Sequence, residues 1–189
     1  MLTHLSRAFR NTPDCLAALL GYNLCMETEY LPLPRVSVYK LGAILLRLAD
    51  FRQNSASAIP FVIEEADVKH FHGKSPVLSE MPFFLGLGAC RSVLTRSMGN
   101  GEHADYGRHR DEPPADDVIL VNINTTIRGT SQWTIWHDCS DKERIYRTNL
   151  TAGDSLVFVD YAVDHEVVTT SDSRIYSSGL YPVNPSVYC

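Results

Sequence analysis

Hydrophobic positions follow a helical pattern in two runs of the first half of the chain. In the first run, Thr12 is placed as an N-cap, Pro13 stands in the first turn and Gly21 marks the end. The second run, 41–50, follows a connection that is broken by the prolines of 31–34. The pattern therefore predicts two helices, which we expect to buttress the structure formed by the second half.

The pattern changes at Ser92 to short β-rich runs separated by turn residues, which favours an antiparallel sandwich or barrel. An earlier run, 59–63, is a further candidate strand. The polar segment 138–143 has the composition of a hairpin tip. The clearest strands are 118–124, 132–136, 155–159 and 174–181.

The composition is that of an ordinary globular domain, with 189 residues of which 44% are apolar and 21% charged. We expect one domain over 1–189, in which 1–90 supplies helices and supporting strands and 91–189 forms the β-rich core. The net charge of −5 argues against a broad electrostatic hold on nucleic acid, which requires a basic face. Because no signal peptide or membrane span is indicated, we expect a soluble cytoplasmic protein.

The cysteines do not indicate a disulfide framework or a zinc site. They are odd in number, scattered and without Cys-x-x-Cys pairs, so reduced thiols are expected. They are Cys15, Cys25, Cys90, Cys139 and Cys189.

The candidate chemistry centres on the segment Tyr-Gly-Arg-His-Arg-Asp, 106–111. On an extended strand, His109 and Asp111 point to the same face and can grip one metal ion from one side. A third ligand should come from a distant strand, and His165 is available after the apolar run 155–159. Two histidines and one carboxylate, with coordination positions left open, suit non-haem Fe(II).

These residues resemble a known family, the 2-oxoglutarate- and Fe(II)-dependent dioxygenases, and within it the prolyl-4-hydroxylase-like branch. The similar motifs are Met-Gly-Asn-Gly at 98–101 upstream of 106–111, and His-Glu-Val at 165–167 followed by Arg174. The resemblance covers roughly 92–182. It implies an α+β, mainly β fold: a double-stranded β-helix (jelly roll, cupin-like), with N-terminal supporting helices outside one of its sheets.

The resemblance also implies the cofactors and the roles of the site residues. His109, Asp111 and His165 would be both the metal ligands and the catalytic residues, with Fe(II), 2-oxoglutarate and O₂ as cofactor and cosubstrates. Arg174 would bind the distal carboxylate of 2-oxoglutarate. The further residues expected at the cosubstrate are Ser178 on the face of Arg174, Asn122 and Asn124 from the neighbouring strand, and Tyr106 near the mouth.

Each of these residues also has a plain structural interpretation. His109 stands between two arginines and Asp111 precedes Glu-Pro-Pro, as a surface loop would have them. His165 stands between two acidic residues of a possible solvated patch, and Arg174 follows Ser-Asp-Ser. The Leu-Val-Phe-Val run before His165 and the Val-Val after it argue instead for a strand that buries alternate positions.

The predicted function is hydroxylation of a C–H bond in a peptidyl residue, proline on the branch resembled, or in a small molecule, with release of succinate and CO₂. Retention of Asp111 favours hydroxylation over halide transfer, because halogenating relatives lack that carboxylate. Two alternatives stay open: a non-catalytic β-sandwich that serves as a binding module, and a nucleobase-oxidising enzyme. The arginines that would permit the latter are Arg91, Arg96, Arg108, Arg110 and Arg128. His70-Phe-His72 is a competing two-histidine pattern, but it lacks suitably spaced partners.

Overall fold

Two β-sheets, one α-helix and one short 3₁₀-helix (Asp160–Ala162) make up the regular structure of the described chain. The computed structural model describes residues 28–36, 40–64, 85–100, 107–138 and 142–183. Within them the helix is α1 (Leu41–Asn54), and the strands are β1 (Tyr30–Pro32), β2 (Arg35–Val36), β3 (Phe61–Ile63), β4 (Ser92–Gly99), β5 (Leu120–Arg128), β6 (Thr130–Asp138), β7 (Glu143–Thr151), β8 (Ser155–Phe158), β9 (Asp164–Thr169) and β10 (Ser173–Pro182).

The strands form a four-stranded sheet in the order β1-β7-β6-β9 and a six-stranded sheet in the order β2-β3-β8-β5-β10-β4. Most neighbours are antiparallel; only the β1–β7 and β2–β3 pairs are parallel. Because consecutive strands repeatedly change sheet, as β5 and β6 do, the architecture is a jelly roll. The predicted mainly β, cupin-like fold is confirmed.

The interior between the sheets is apolar at one level and polar at another. Trp133 and Ile135 of β6 pack with Leu156 and Phe158 of β8, and the Trp133 and Phe158 rings meet edge to face with centroids 5.7 Å apart. The polar level contains buried side chains of β5, β9 and β10, among them Asn124, His165 and Arg174. The candidate site lies there.

Helix α1 covers the outer face of the six-stranded sheet. Ile44, Leu48 and Phe51 are buried on one side of the helix, and they pack with Val121 and Ile123, the outward-facing residues of β5. The expected buttress is therefore confirmed for the second helix, which ends four residues later than predicted. The predicted first helix, 12–21, lies outside the described residues.

Gly129 makes the change of sheet between β5 and β6 possible. Its φ of 82° is readily adopted only by glycine, and a Cβ there would collide with the carbonyl of Ser173. The close approach holds the start of β10, and with it Arg174, against the β5–β6 corner.

The clearest predicted strands all appear, as β5, β6, β8 and β10, and the polar tip joins β6 to β7 through the pair Asp138 and Glu143. Among the described residues, no helix combines the length and the apolar character needed to cross a membrane. Cys90 is an exposed free thiol, and the other four cysteines lie outside the described residues.

Candidate metal centre

Two histidines are brought together by a backbone pairing at the edge of β9. His109 forms an isolated antiparallel bridge with His165. The N–H of His109 donates to the carbonyl of His165 at 3.0 Å, and the N–H of His165 donates to the carbonyl of His109 at 2.7 Å. Side chains of directly opposed residues project to the same side. The two rings accordingly lie side by side, with centroids 4.4 Å apart.

Asp111 completes a three-residue group. The metal-binding atoms of His109, Asp111 and His165 all lie within 4.8 Å of one another. Two imidazoles and one carboxylate approaching from one side can hold a metal ion and suit Fe(II). The structure thus brings together the three predicted ligands, and their role as ligands stays a prediction.

Both histidines are oriented by backbone carbonyls. The Nδ1 atom of His109 lies 2.8 Å from the carbonyl oxygen of Gly107, and that of His165 lies 3.3 Å from the carbonyl oxygen of Val163. Such contacts place the proton on Nδ1 and leave the Nε2 lone pair for a metal. Burial, together with the nearby His109, lowers the pKa of His165, which favours the neutral imidazole that ligation requires.

The expectation of a regular strand for 106–111 is wrong for the part that the structure describes. Gly107 has a φ of 71°, and His109 makes only a single bridge. Pro113 and Pro114 soon follow and have no N–H to extend a ladder. The bridge holds His109, while Asp111 reaches the same point from irregular chain.

A clamp of ion pairs fixes the two histidine-bearing segments on the side away from the site. Arg108 and Arg110 flank His109, and Asp164 precedes His165. The Nε of Arg108 donates to Asp164 at 2.9 Å, and the Nε of Arg110 donates to its other carboxylate oxygen at 2.7 Å. One carboxylate therefore contacts both of the arginines that flank His109.

The outer partners of the clamp extend it to β6 and β7. Arg108 also donates to Glu143 at 2.7 Å and lies 4.6 Å from the ring centroid of Trp136. Arg110 donates to Asp138 at 3.3 Å. Both arginines are consequently engaged within the protein.

Arg174 is fully buried inside the jelly roll. Its Nη2 donates to the side-chain oxygen of Asn124 at 2.8 Å, while Nε and Nη1 have no hydrogen-bond partner among the described residues. The guanidinium carbon lies 4.3 Å from the ring centroid of Tyr176 and 5.6 Å from that of Trp133. Burial lowers the pKa of Arg174 to about 10, so the side chain stays charged at neutral pH.

Three further polar atoms, on β5 and β6, also lack hydrogen-bond partners among the described residues. Thr126 Oγ1, Ser131 Oγ and Trp133 Nε1 are buried and make no hydrogen bond. Buried polar groups are normally paired, so several unpaired ones on neighbouring strands indicate room for a polar ligand. Sequence reasoning missed all three, although the inward alternation of β5 and β6 could have suggested them.

The other predicted cosubstrate residues divide into two groups. Asn124 contacts Arg174. Ser178 instead donates to Asn122 at 2.9 Å, and Asn122 donates to Asp160 at 2.8 Å. Tyr106 lies outside the described residues.

Asp160 was not expected from the sequence. It lies two residues after the end of β8, at the start of a short 3₁₀-helix, is 6% exposed and accepts hydrogen bonds from Asn122 and from the N–H of Tyr161 at 2.9 Å. Burial raises the pKa of Asp160 to about 6, and the negative charge of Asp111 adds to the increase. A carboxylate after an apolar strand is common at turns, so its type and position alone gave no signal.

No protein-family model and no curated protein matches the chain. Solved structures with a similar fold include a prolyl-4-hydroxylase from Pseudomonas putida, which is 16% identical with a TM-score of 0.49; the match covers 82% of this chain and 100% of that one.

Two other matches are an epimerase and an oxygenase, whose reactions differ from each other. A dTDP-4-dehydrorhamnose 3,5-epimerase from Elizabethkingia anophelis is 11% identical with a TM-score of 0.40, over 64% of this chain and 59% of that one. YcfD, a ribosomal oxygenase from Escherichia coli, is 18% identical with a TM-score of 0.37, over 51% and 24%. The chain thus spans less than two thirds of these two proteins. The similarities concern architecture and assign no chemistry to this chain.

Proposed function

We propose that the chain is a non-haem iron oxygenase that uses 2-oxoglutarate as cosubstrate and hydroxylates a C–H bond of a peptidyl residue or a small molecule. The observation that carries the proposal is a His-Asp-His group in the same interior as Arg174, a buried cation without an anionic partner among the described residues. Burial of an isolated charge is costly, so a protein that binds no anion would gain nothing from a buried arginine at this position.

The donor set fits Fe(II). His109 and His165 have Nδ1 against carbonyl oxygens and can present Nε2, and Asp111 supplies the negative charge that reduces the net charge of a bound divalent ion. Fe(II) held by these three residues would keep coordination positions free for a chelating cosubstrate and O₂.

The surroundings of Arg174 fit a carboxylate of 2-oxoglutarate. Nε and Nη1 are available as donors, and a guanidinium can hold a carboxylate through two N–H groups. Asn124 fixes the orientation of the guanidinium, and the rings of Tyr176 and Trp133 lie near it and limit access of water.

Bound at these residues, Fe(II) with 2-oxoglutarate would supply the oxidising chemistry that yields succinate and CO₂ and hydroxylates the substrate. The chain's own contribution is binding and orientation. The backbone pair fixes the spacing of His109 and His165, the Asp164 clamp holds that pair, and Arg174 sets the direction in which the cosubstrate lies.

Nucleobase oxidation is less well supported. Three of the arginines that would line a nucleic-acid path are already ion-paired: Arg91 with Asp116 at 2.8 Å, Arg108 with Glu143 and Asp164, and Arg110 with Asp138 and Asp164. Binding a phosphate backbone would require these pairs to break.

The proposal is tested by adding Fe(II) and then 2-oxoglutarate to the full chain without oxygen. We expect one Fe(II) per chain and a visible absorption band typical of a keto acid chelated to Fe(II). Admission of oxygen should then convert 2-oxoglutarate into succinate. Asp117→Ala, at an exposed residue outside the site, is the matched control for Asp111→Ala and should behave as the unmodified protein does. A chain that binds no iron, or binds it without the band, would contradict the proposal.

A further inference from the structure

Three charged side chains are buried in the described chain, and two of them have no partner of opposite charge there. Asp154, 4% exposed, faces Arg35 at 3.5 Å. Arg174 has no anionic partner, which the proposed cosubstrate would supply. Asp160 has no cation within reach among the described residues and accepts only from neutral donors, Asn122 and the N–H of Tyr161.

Asp160 opens onto a cavity beside the metal centre. The cavity has a volume of about 390 Å³, a size common for small-ligand sites, and Asp111 is also on its wall. Asn122 and Ser178 line the polar side, and Leu120 and Leu180 line an apolar side. No lysine, arginine or histidine is among the described residues that line it, whereas Glu112 adds a third carboxylate.

Both oxygens of Asp160 can accept another hydrogen bond. One oxygen accepts a hydrogen bond from the Asn122 amide, and the other accepts one from the N–H of Tyr161. A carboxylate oxygen can accept about two hydrogen bonds. Burial raises the pKa of this carboxyl only to about 6, so it is mostly ionised at neutral pH. The cavity therefore presents a largely desolvated negative charge with free acceptor capacity.

We propose that this cavity binds a substrate bearing an ammonium or guanidinium group, with Asp160 as the partner of that charge. An apolar wall and one buried carboxylate match an aliphatic chain that ends in a cation, as in lysine or arginine side chains. The assignment of the cavity as a substrate site rests on the proposed function, because a metal held at Asp111 would make the cavity the place of reaction. Binding of the cation itself requires no metal.

The unpaired charges of Arg174 and Asp160 would attract two ligands of opposite charge to two different places. Asn124 contacts Arg174 and Asn122 contacts Asp160, and these asparagines are two residues apart on β5, roughly 7 Å along the strand. A dicarboxylate is attracted to the Arg174 end and repelled by Glu112 and Asp160, the carboxylates of the cavity that would hold no metal. A cationic substrate has the opposite preference, so the two ligands would not compete for one pocket.

The inference is tested with two pairs of probes that differ in charge and little in shape: capped lysine against capped norleucine, and capped arginine against capped citrulline. Each is titrated into the full chain by calorimetry or ligand-observed NMR at neutral pH. Because a charge-assisted hydrogen bond is stronger than a neutral one, the cationic member of at least one pair should bind at least about tenfold more tightly. Equal affinity within both pairs would overturn the inference without any variant being made.

Asp160→Asn identifies the residue responsible. It should remove the preference for the cationic probe and leave the affinity of the neutral probe unchanged. Asp154→Asn also removes a buried carboxylate, but outside the cavity, and should preserve the preference. Preference retained in Asp160→Asn would overturn the role of Asp160. Titration with Mn(II) excludes a metal partner: if Asp160→Asn binds one ion fewer than the unmodified chain, a second metal balances the charge and the inference fails.

The absorption band expected for 2-oxoglutarate chelated to Fe(II) distinguishes a failure of this inference from a failure of the proposed function. Asp160→Asn should still bind Fe(II) and 2-oxoglutarate and give the band, since the ligands and Arg174 are intact. A band without any cation preference in the unmodified chain would contradict only the substrate class. A cation preference without the band would support the cavity assignment and contradict the oxygenase.

Discussion

Asp111 and His165 meet at their side-chain tips, with Oδ2 of the carboxylate 3.6 Å from Nε2 of the imidazole. The side chain of His165 is 6% exposed, while that of Asp111 is 47% exposed. The group thus combines a buried side chain with one that solvent can reach. Substitution of Asp111 should test the metal centre with little effect on folding.

Removal of any member of this group should abolish the metal centre. We expect Asp111→Ala, His109→Ala and His165→Ala each to eliminate stoichiometric Fe(II) uptake and the 2-oxoglutarate band, because three ligands hold the ion. Metal content by elemental analysis and anaerobic absorption spectra provide the measurements, with circular dichroism to establish folding. If all three variants bind metal as the unmodified chain does, the site is elsewhere, and His70 and His72 become the next candidates.

The clearest strands could be predicted because they have strong local signals, whereas their jelly-roll arrangement was implied by the family resemblance. In β9 the burial alternates along the whole strand, as the Val-Val after His165 suggested. Strand β7 was not among the clearest predictions, because the charged residues Arg144 and Arg147 stand on either side of the buried Tyr146 and make the run polar. Its place in the sheet depends on pairing with β6.

Contacts between distant strands were less accessible to sequence reasoning. Asn122 and Asn124 share a face of β5, and nothing local distinguishes which of them contacts Arg174. The answer depends on the register of β10 against β5, which shifts between Ile175 and Tyr176. Asp160 was missed for the same reason, since its significance depends on the absence of a cationic neighbour in the described structure.

The Asp164 clamp should affect metal affinity without contact with the metal. Burial by itself would raise the pKa of Asp164, but hydrogen bonds from Arg108 and Arg110 lower it below its usual value, so the clamp is intact at neutral pH. Asp164→Asn weakens both contacts, and we expect Fe(II) affinity to fall by about 10- to 100-fold, as for other residues that orient ligands.

Two comparisons make this prediction specific. Asp116→Asn breaks the surface pair with Arg91 and should leave Fe(II) affinity unchanged. Far-UV spectra of Asp164→Asn should remain those of the folded chain. Unaltered Fe(II) affinity in Asp164→Asn would show that the backbone pair of His109 and His165 is sufficient to position the ligands.

Asp160 should make stability depend on pH in the direction opposite to that of a salt-bridged carboxylate. Its pKa is raised from an ordinary 3.8 to about 6 in the folded chain, so the folded state binds the proton more tightly than the unfolded state. Stability from this group is therefore greatest below pH 3.8 and is lost as pH rises to about 6. Asp160→Asn removes the group whose ionisation lowers the stability. Above pH 6, the free energy of unfolding of this variant should therefore exceed that of the unmodified chain by up to about 3 kcal/mol.

The measurement is urea unfolding of both proteins between pH 4 and pH 8. The difference between them should be small at the acidic end, grow through the interval between the two pKa values and then stay constant. A difference that is independent of pH would mean that the pKa of Asp160 is the same in the folded and the unfolded chain, so that the burial of its charge is fully offset, and would also weaken the case for a cation-binding cavity.

Arg174 separates the 2-oxoglutarate assignment from a generic iron site. If its guanidinium binds the distal carboxylate in the dry interior, Arg174→Ala leaves a ligand charge unpaired at a cost of about 2–5 kcal/mol. The affinity for 2-oxoglutarate should then fall by roughly 30-fold to several thousand-fold, while Fe(II) still binds. Arg174→Lys should recover only part of the loss, because an ammonium is a point charge and not a planar fork. Arg128→Ala removes an exposed arginine at the end of β5 and should leave the affinity unchanged.

Arg174→Met provides the complementary measurement. An unpaired buried cation destabilises the ligand-free chain, so an apolar side chain of similar length should make the protein equally or more resistant to urea in the absence of ligand. Fe(II) with 2-oxoglutarate should raise the melting temperature of the unmodified chain well above that of Arg174→Met, since a ligand stabilises only the state that it binds. If 2-oxoglutarate affinity is the same in Arg174→Ala and the unmodified chain, Arg174 does not bind the cosubstrate, and its burial must be balanced by a different anion.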